Sequence, residues 1–340
     1  MRIGGIIRFF VVCIACFSIF LYNAADIFSA QKTPLKEAEE KEIFIEEEEV
    51  EEVVSTPEKQ EEKPAESTSS VAVSAGAVKG KIIEKYISPY TAKLSYNNVY
   101  VKNSSGLSVN IKQLLEASLS FKIKKNDEPQ VLIMHTHTTE TFMDKDTDVY
   151  TENFKSRDRD NSKNMVKIGE TVAEKLNAAG IKTLHDKTQH DYPQYTGSYT
   201  RSAKTVSSYL KQYPSIKIVL DLHRDAVSSG ESDKIKLATK IKGKKAAQVM
   251  LVMGSQSGSV TNYPNWQENL KLALKLQQVL EVKYPTLARP LSLVSKNYNQ
   301  SLTKGSLLIE FGTDANSLEE AVYSAEMVGE ALASLLNTEG

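Results

Sequence analysis

The amino-acid sequence predicts an α/β protein with a mostly parallel central sheet and helices on both faces. The strand-like runs and the helix-like segments of the chain predict this fold class, and the composition of the first 80 residues predicts what lies before the folded part. After about residue 80, short apolar runs suited to buried strands alternate with longer segments in which apolar residues recur at helical spacing. Strands that alternate with helices of this length are typical of a mostly parallel sheet covered on both faces. The residues before this region predict a transmembrane helix followed by a disordered acidic tether.

The elements of the folded part can be placed in order along the chain. The first predicted helix ends at Gly180, where a C-cap glycine belongs. The second stops at Pro214, which cannot continue a helix. The predicted strands are QVLIMH, IKTLHD, IKIVLDLHRD, KAAQVMLVMGS, LSLV and SLLIEFG, and the predicted helices are NMVKIGETVAEKLNAAG, SYTRSAKTVSSYLKQYP, WQENLKLALKLQQVLEVKYP and NSLEEAVYSAEMVGEALASLLN. We therefore predict a main domain over residues 128–340, with residues 81–127 as an N-terminal extension of the folded part.

Residues 1–30 predict a transmembrane anchor. Arg2 and Arg8 precede an uncharged, mostly apolar run over residues 9–25, which is near the minimum length for crossing a bilayer. Because positive charges stay on the cytoplasmic side, we expect a single-pass protein of the cell membrane whose folded part is extracytoplasmic. A cleaved signal peptide is the alternative, since FSAQ ends in small residues. Both cysteines of the chain lie in this segment, so the exported part has no disulfide and no thiolate ligand.

Residues 31–80 predict a disordered, self-repelling acidic linker. Residues 36–66 contain fourteen Glu against four Lys, a net charge of −10, and a solvated acidic helix is the alternative for this stretch. Residues 1–35 contribute +2 and the whole chain is −1, which leaves +7 for residues 67–340. A basic domain outside the cytoplasm suits an anionic polymer such as a bacterial cell wall. We expect no nucleic-acid partner, because the sequence has no aromatic-interleaved basic run and no nucleic-acid motif.

Polar side chains gather at the carboxyl ends of the predicted strands, where ligands bind in open α/β sheets. Side chains alternate along a strand, so we expect His135 and His137 to share one face. A single histidine at a strand end usually makes a loop hydrogen bond. Two separate strands that end in histidine, together with a glutamate on a third, favour a metal site, because buried acids are costly unless paired or metal-bound. The strand-end residues are His135, His137, Glu140, His185, Asp186, Asp221, His223, Arg224, Asp225 and Glu310.

This set of residues predicts metal-assisted hydrolysis. A Zn²⁺ ion with three protein ligands keeps an open position for water, whose pKa falls to about 7. A nearby carboxylate takes the proton from water and returns it to the departing amine, and a cation such as Arg224 stabilises the oxyanion. Amide hydrolysis fits better than phosphoryl transfer, because no phosphate-cradling glycine loop is present. His185 is a weaker candidate, either for substrate binding or as a plain loop residue. His190 is expected to be a loop residue, and Tyr192, Tyr195 and Tyr199, which crowd one loop, are expected to pack together rather than form a sugar platform.

Five ordered segments resemble the stage II sporulation protein P family of endospore-forming bacteria: VLIMHTHTTETF, NSKNMVKIGETVAEKLNAAGIKTLHDKTQHD, YTGSYTRSAKTV, DLHRDA and LLIEFGTDANSLEEA. The resemblance covers about residues 128–338, and an anchor with an acidic tether also suits that family. It implies a membrane-anchored zinc N-acetylmuramoyl-L-alanine amidase, with endopeptidase activity as well, that acts on peptidoglycan during engulfment of the forespore. It also implies stage II sporulation proteins D and M as partners, a place in the mother-cell membrane facing the septal wall, and the fold of the zinc amidases related to autolysins.

The resemblance further implies roles for individual residues. The wider zinc amidases carry D-P-G-H-G after the first strand, S-x-H-x-N at the second zinc histidine and V-E-x-G at the catalytic glutamate, which align with His137, His223 and Glu310. Their third ligand is a glutamate at the start of the next helix, where this chain has RDRDNSKNM and no glutamate. The candidates for this ligand are His135, Glu140 and Asp160. Proximity favours His135, and Glu140 stays open as a ligand or a proton carrier.

Two other functions remain as alternatives to an amidase over residues 128–340. One is another zinc amide hydrolase, such as a polysaccharide deacetylase or a peptidase. The other is a non-catalytic protein that binds the cell wall as a scaffold of a septal complex. The released products distinguish the first alternative, and zinc-independent wall binding without hydrolysis distinguishes the second.

Overall fold

The structure is a computed structural model that describes residues 76–338. The predicted anchor over residues 1–30 lies outside the described residues, as does the predicted linker up to residue 75. Among the described helices, none is long and apolar enough to cross a membrane. The anchor, the linker and the domain boundaries therefore stay predictions.

Thirteen strands and five α-helices make up the described part of the chain. The strands are β1 (Val78–Lys85), β2 (Leu94–Tyr96), β3 (Val99–Asn103), β4 (Val131–Met134), β5 (Val149–Thr151), β6 (Thr183–His185), β7 (Ile218–Asp225), β8 (Ser228–Ser229), β9 (Asp233–Ile241), β10 (Lys244–Ala247), β11 (Val249–Gly254), β12 (Leu291–Val294) and β13 (Ser306–Thr313). The helices are α1 (Ile111–Glu116), α2 (Met165–Ala178), α3 (Ser198–Gln212), α4 (Trp266–Lys283) and α5 (Leu318–Thr338).

An eight-stranded sheet lies at the centre of the described region, with the strand order β2-β3-β12-β11-β13-β7-β4-β6. β4, β7 and β13 are direct neighbours and run parallel to one another. These are the three strands whose carboxyl ends carry the predicted histidines and glutamates. The topology therefore brings the ends of these strands to one edge of the sheet. The predicted extension over residues 81–127 adds β2 and β3 at the opposite side of this sheet.

The central sheet is mixed, which corrects the prediction of a mostly parallel sheet. Parallel pairs join β6, β4, β7 and β13, and also β11, β12 and β3. β11 runs antiparallel to β13, and β2 runs antiparallel to β3. The reason lies between β7 and β11, where the chain forms β8, β9 and β10 and no helix. Without a crossover helix to carry it back, the chain enters β11 in the opposite direction.

Helices pack on both faces of the central sheet, as predicted. Alternate residues of β4 show the division between the faces. Val131 and Ile133 join the large core formed with α2, α4 and α5. Leu132 and Met134 join a smaller core that includes Val206 of α3. β4 is buried on both faces, which explains its continuous apolar run.

Local sequence signals fix the ends of the helices near the site. The side chain of Asn164 accepts a hydrogen bond from the Val166 N–H at 3.0 Å and so caps the start of α2. α2 ends before Gly180, whose φ of +80° lies in the left-handed region that glycine adopts without a Cβ clash. α3 ends two residues before Pro214. Both predicted helix ends are confirmed to within one or two residues.

A second sheet, which the sequence did not predict, has the order β10-β9-β1-β5, with β8 paired to β9. Within it, β1 runs parallel to β9. Lys236 of β9 is buried and forms ion pairs with Glu84 at 3.1 Å, with Glu320 at 3.5 Å and with Asp146. These ion pairs join β1, α5 and the loop before β5 to one buried cation.

Candidate functional site

The turn after β4 begins the candidate site. β4 ends before His135, and residues 136–139 form a turn. The Thr136 N–H and hydroxyl donate to the carboxylate of Asp221 on β7, at 2.8 and 2.7 Å. Because these two bonds hold the turn against β7, the chain after β4 leaves the extended geometry that would have kept His135 and His137 on one face.

His137 and His223 come together on one face of the sheet. Their ring centroids are 5.2 Å apart and the rings are nearly perpendicular. Both side chains are buried. The two nitrogens of His137 lie near hydroxyl groups, Nε2 at 3.2 Å from the Tyr195 hydroxyl and Nδ1 at 3.4 Å from the Ser198 hydroxyl. Burial lowers the pKa of His137 to about 3, so its ring is neutral and available as a metal ligand.

His223 lies between two carboxylates. Its Nδ1 is 3.6 Å from Glu140 Oε2, and its Nε2 is 2.8 Å from Asp221 Oδ1. The second contact is a close ion pair, so Asp221 occupies the Nε2 side of the His223 ring and Glu140 faces its Nδ1 side. Burial lowers the pKa of His223, but the charges of Asp221 and Glu140 raise it more, and the pKa stands well above its usual value.

Glu140 is buried beside two arginines. Its Oε2 accepts a hydrogen bond from the Arg224 backbone N–H at 3.3 Å, and its Oε1 lies 3.6 Å from a guanidinium nitrogen of Arg157. Burial raises the pKa of this carboxyl, but Arg224 and His223 lower it more, so the pKa falls below its usual range. Glu140 is therefore an anionic donor next to His223.

Glu310 lies on β13, in register with His223 on β7. Paired residues of neighbouring strands point to the same face, so the two side chains occupy the same side of the sheet. The Oε2 atom of Glu310 is buried and has no hydrogen-bond partner in the described part of the chain. Burial and the nearby negative charges of Asp225 and Glu140 raise the pKa of Glu310 well above its usual value, against the opposing effect of His223.

His135 points to the opposite face of the sheet, where it pairs with His185. Their Nε2 atoms are 2.9 Å apart, and His135 Nδ1 is 3.0 Å from the carbonyl oxygen of Leu222. A carbonyl only accepts, so His135 Nδ1–H donates to Leu222 and His185 Nε2–H donates to His135 Nε2. Burial lowers the pKa of His135 to about 4 and that of His185 to about 3, so both rings are neutral. The expectation that His135 and His137 share one face is wrong for this reason.

The remaining predicted residues lie outside the cluster or hold it in place. Asp160 is exposed in the loop before α2, where it accepts hydrogen bonds from Ser162. Arg224 is buried, and its guanidinium donates to the carbonyls of Thr141 at 3.0 Å and Ser156 at 2.6 Å. Arg224 therefore fixes the segment that carries Glu140. His190 lies between the His135 carbonyl and the Thr205 hydroxyl, at 2.8 and 2.9 Å, which accords with a loop role.

Sequence reasoning missed the network around Arg157. Its guanidinium lies 2.6 Å from the buried carboxylate of Asp191 and 4.6 Å from the ring centre of Tyr195, while its other end reaches Glu140. Asp191 also accepts from the N–H and hydroxyl of Thr139 in the turn after β4. Tyr195 stacks on His137 with ring centroids 4.6 Å apart. These contacts join residues far apart in sequence, and no spacing pattern in the sequence indicates them.

The residues of the cluster can be tested for their fit to a zinc ion. Within residues 76–338, no three His, Cys, Asp or Glu side chains are positioned to hold a metal ion. The donor chemistry nevertheless fits, because zinc in hydrolases takes two or three imidazoles with a carboxylate. Unpartnered buried polar atoms are rare and call for an explanation such as an ion or water, and this cluster has one at Glu310 Oε2. His137, His223 and Glu140 are the donors that fit zinc in kind.

The fold and the site define an α/β protein with two histidines and two glutamates clustered on one face of a mixed sheet, near the carboxyl ends of three neighbouring strands. The family model described as Stage II sporulation protein P (SpoIIP) matches residues 16–333. The chain belongs to the stage II sporulation protein P family, which confirms the resemblance in its sequence. It is 30% identical over 227 residues to the Stage II sporulation protein P of Bacillus subtilis (strain 168), a match that covers 62% of this chain. The chain spans about half of that relative, with 51% of its length covered.

Solved structures of N-acetylmuramoyl-L-alanine amidases are also similar to this chain. An amidase from Clostridium difficile 630 is 14% identical, with 63% of this chain and 97% of that one covered and a TM-score of 0.38. The CwlD amidase from Clostridioides difficile, solved in complex with the GerS lipoprotein, is 11% identical, with 62% and 98% covered and a TM-score of 0.40. At these scores the structural likeness is partial.

Proposed function

We propose that this protein is a zinc-dependent peptidoglycan hydrolase of sporulation that cleaves the amide bond between N-acetylmuramic acid and L-alanine. One observation carries the proposal: His137 and Glu140 of the segment after β4, His223 of β7 and Glu310 of β13 meet on one face of the sheet, and the buried Oε2 of Glu310 has no hydrogen-bond partner among the described residues. Ordinary packing does not explain such a cluster, because a buried polar group costs free energy unless it is hydrogen-bonded, ion-paired or metal-bound. Buried groups with shifted pKa values are typical of functional sites. Membership of the stage II sporulation protein P family supports the choice of substrate.

In this proposal, His137, His223 and Glu140 hold the zinc ion. Zinc, when bound, supplies a Lewis acid that polarises water and the scissile carbonyl. Glu140 replaces His135 as the favoured third ligand, because Glu140 lies 3.6 Å from His223 whereas His135 is engaged with His185 on the other face. Arg224 and Arg157 keep Glu140 in place.

Glu310 is the proton carrier. A group that takes a proton from water and passes it to a departing amine works best when its pKa is shifted toward neutral pH. Burial and neighbouring carboxylates shift the pKa of Glu310 in this direction. Its register with His223 keeps the carboxyl on the face of the sheet where the ligands meet.

Part of the proposal rests on the sequence and the family rather than on the described residues. We propose that residues 1–30 anchor the chain in the membrane and that the catalytic domain lies outside the cytoplasm. We also propose stage II sporulation proteins D and M as partners, and endopeptidase activity as a second reaction. Truncation before residue 67 tests the first point, because a soluble and active fragment is expected.

Product analysis on purified sacculi tests the reaction. The amidase releases peptides with a free L-alanine amino terminus and leaves the glycan strands intact. Free acetate instead would indicate a deacetylase, and new peptide termini elsewhere in the stem would indicate a peptidase. Binding to sacculi without any release, in the presence of zinc, would indicate a scaffold and contradict the proposal.

Metal content and turnover together test the residue roles. Glu310→Gln is expected to keep bound zinc and to lose turnover by a factor of about 10² to 10⁴, the usual contribution of a general acid–base. Glu319→Gln is the matched control, since the Glu319 side chain is exposed on α5. Glu140→Ala is expected to lose zinc whereas His135→Ala keeps it. Zinc retained by Glu140→Ala and lost by His135→Ala would reverse the ligand assignment.

A further inference from the structure

Three tyrosines extend outward from His137. The ring of Tyr195 stacks on His137, and the ring of Tyr199 meets His137 edge-on at 5.6 Å. The ring of Tyr298 lies 5.9 Å from that of Tyr199. We name Tyr195, Tyr199 and Tyr298 the tyrosine row. The row contains side chains from the loop before α3, from α3 itself and from the loop after β12, so the fold brings these rings together rather than the sequence.

A groove of about 570 Å³ continues from the tyrosine row along α3. This volume lies within the range of small-molecule binding sites. Tyr199 belongs to both the row and the groove, so the groove begins one ring away from His137. The distance from Tyr199 to Ser207 along the helix axis is about 12 Å, at 1.5 Å per residue, which is longer than one sugar ring. The groove is lined mainly by Tyr199, Thr200, Ala203, Lys204, Ser207 and Asn299.

The far wall of the groove is held in a strained backbone conformation. Tyr298 and Asn299 have φ values of +49° and +56°. Non-glycine residues in this region cost about 1–3 kcal/mol each and cluster at functional sites. The Asn299 side chain donates to the Tyr199 carbonyl at 2.8 Å and to the Ser202 hydroxyl at 3.1 Å, which ties this wall to the start of α3. Asn299 therefore holds this wall of the groove against α3.

We propose that the tyrosine row and the groove bind the glycan strand of the wall polymer beside the reacting amide, an inference that rests on the proposed function. Aromatic rings present flat apolar faces with a polar edge, which suits the C–H faces and hydroxyls of sugars. The hydroxyl groups of Thr200 and Ser207 add hydrogen-bonding groups along the same path. Arg157 lies against Tyr195 at the inner end of the row, and along the groove itself Lys204 is the one charged lining residue. A stem peptide with several carboxylates would call for more than one cation, so the glycan is the better occupant.

Binding in the presence of chelator tests this inference without turnover. The full chain is sedimented with glycan strands from which an unrelated amidase has removed the stem peptides. Tyr199→Ala is expected to bind about tenfold more weakly, the equivalent of one lost aromatic contact. Tyr86→Ala is the matched control, since Tyr86 is 46% exposed on another part of the surface and should bind like wild type. Free stem peptide is expected not to compete.

A second substitution blocks the groove without destabilising the protein, so that weaker glycan binding cannot be caused by unfolding. Ser207 is exposed on α3, and Leu is a better helix former than Ser, so Ser207→Leu fills the groove without weakening the helix. It should bind glycan more weakly than wild type at an unchanged midpoint of thermal unfolding. With zinc restored, Tyr199→Ala and Ser207→Leu should both raise KM for sacculi.

The results of these experiments distinguish a failure of the glycan-binding proposal from a failure of the proposed amidase function. Wild-type affinity in both Tyr199→Ala and Ser207→Leu, or competition by free stem peptide, would overturn the glycan assignment while hydrolysis of sacculi by wild type still supports the amidase. Weakened glycan binding in both variants, with no hydrolysis by the zinc-loaded wild type, would support the groove and overturn the proposed function.

Discussion

Substitution of Gly169 by alanine tests how the two faces of the sheet are connected. Gly169 lies in the interior of α2, against the His135–His185 pair. A Cβ atom at this position would lie 2.6 Å from His185 Cε1 and 2.7 Å from His135 Nε2, with His185 Nε2 nearer still. These separations are shorter than van der Waals contact, so one or both rings must move. Because His135 donates to the carbonyl of Leu222, the residue before His223, the movement reaches the candidate site.

The change in the free energy of unfolding is the sum of one stabilising and two destabilising effects. In an ordinary helix interior, Gly→Ala stabilises by about 0.5–1 kcal/mol. Overpacking of a filled site costs about 1–3 kcal/mol, and loss of the hydrogen bond between the two rings costs about 1 kcal/mol more. The expected result is a net loss of about 1–3 kcal/mol in the free energy of unfolding, opposite in sign to the helix propensity.

Equilibrium unfolding in urea, combined with a double-mutant cycle, measures this effect. His185→Ala removes the ring that the added methyl group would strike, so Gly169→Ala should cost much less in the His185→Ala background than in wild type. The two substitutions should therefore be non-additive by more than about 0.5 kcal/mol, as expected for residues in contact. An increase in stability on Gly169→Ala in the wild-type background would refute the reasoning, because it would show that the rings do not fill this space.

Two further predictions concern buried charges. Asp221→Asn should lower the free energy of unfolding by about 1.5–3 kcal/mol, the range for hydrogen bonds to a charged group. The reason is that Asp221 accepts two hydrogen bonds from Thr136. A loss below about 0.5 kcal/mol in urea unfolding would contradict this role. Hydrogen bonds from Lys236 and Lys245 lower the pKa of Asp146 below its ordinary 3.8, so the stability from this ion cluster is present above pH 3.8 and is lost as the pH falls through the lowered pKa. Lys236→Met should therefore flatten the dependence of unfolding free energy on pH below this value, and an unchanged slope would show that the ion pairs contribute nothing.

Much of the fold was accessible from the sequence because buried parallel strands and amphipathic helices leave strong periodic signals. The rule that ligands bind beyond the carboxyl ends of strands groups His137, His223 and Glu310 on sequence grounds alone. The structure places their strands side by side, with Glu310 in register with His223. Their roles at a metal stay predictions, which zinc content and turnover of the substituted proteins would test.

The second sheet and the mixed direction of the first were not accessible in the same way. β9 alternates lysines with apolar residues, and its partner β1 is some 150 residues earlier in the chain. Pairing over such a distance leaves no local pattern. The network of Arg157, Asp191 and Tyr195 escaped prediction for the same reason, since each contact joins loops that only the fold brings together.

The choice of third ligand depended on where one strand ends. If β4 continued in extended form through residue 137, its alternation would direct His135 and His137 to the same face, and His135 would be the natural ligand. The bonds from Thr136 to Asp221 end the strand early, so His135 keeps the face of Ile133 while His137 turns to the face of His223. The same turn brings Glu140 to 3.6 Å from His223. The motif HTHTTE therefore contributes to both faces of the sheet: its first histidine packs against α2 and β6, and its second histidine and its glutamate lie beside His223. In the proposed zinc site, Glu140 is therefore the third donor, because it reaches His223 from the same segment as His137.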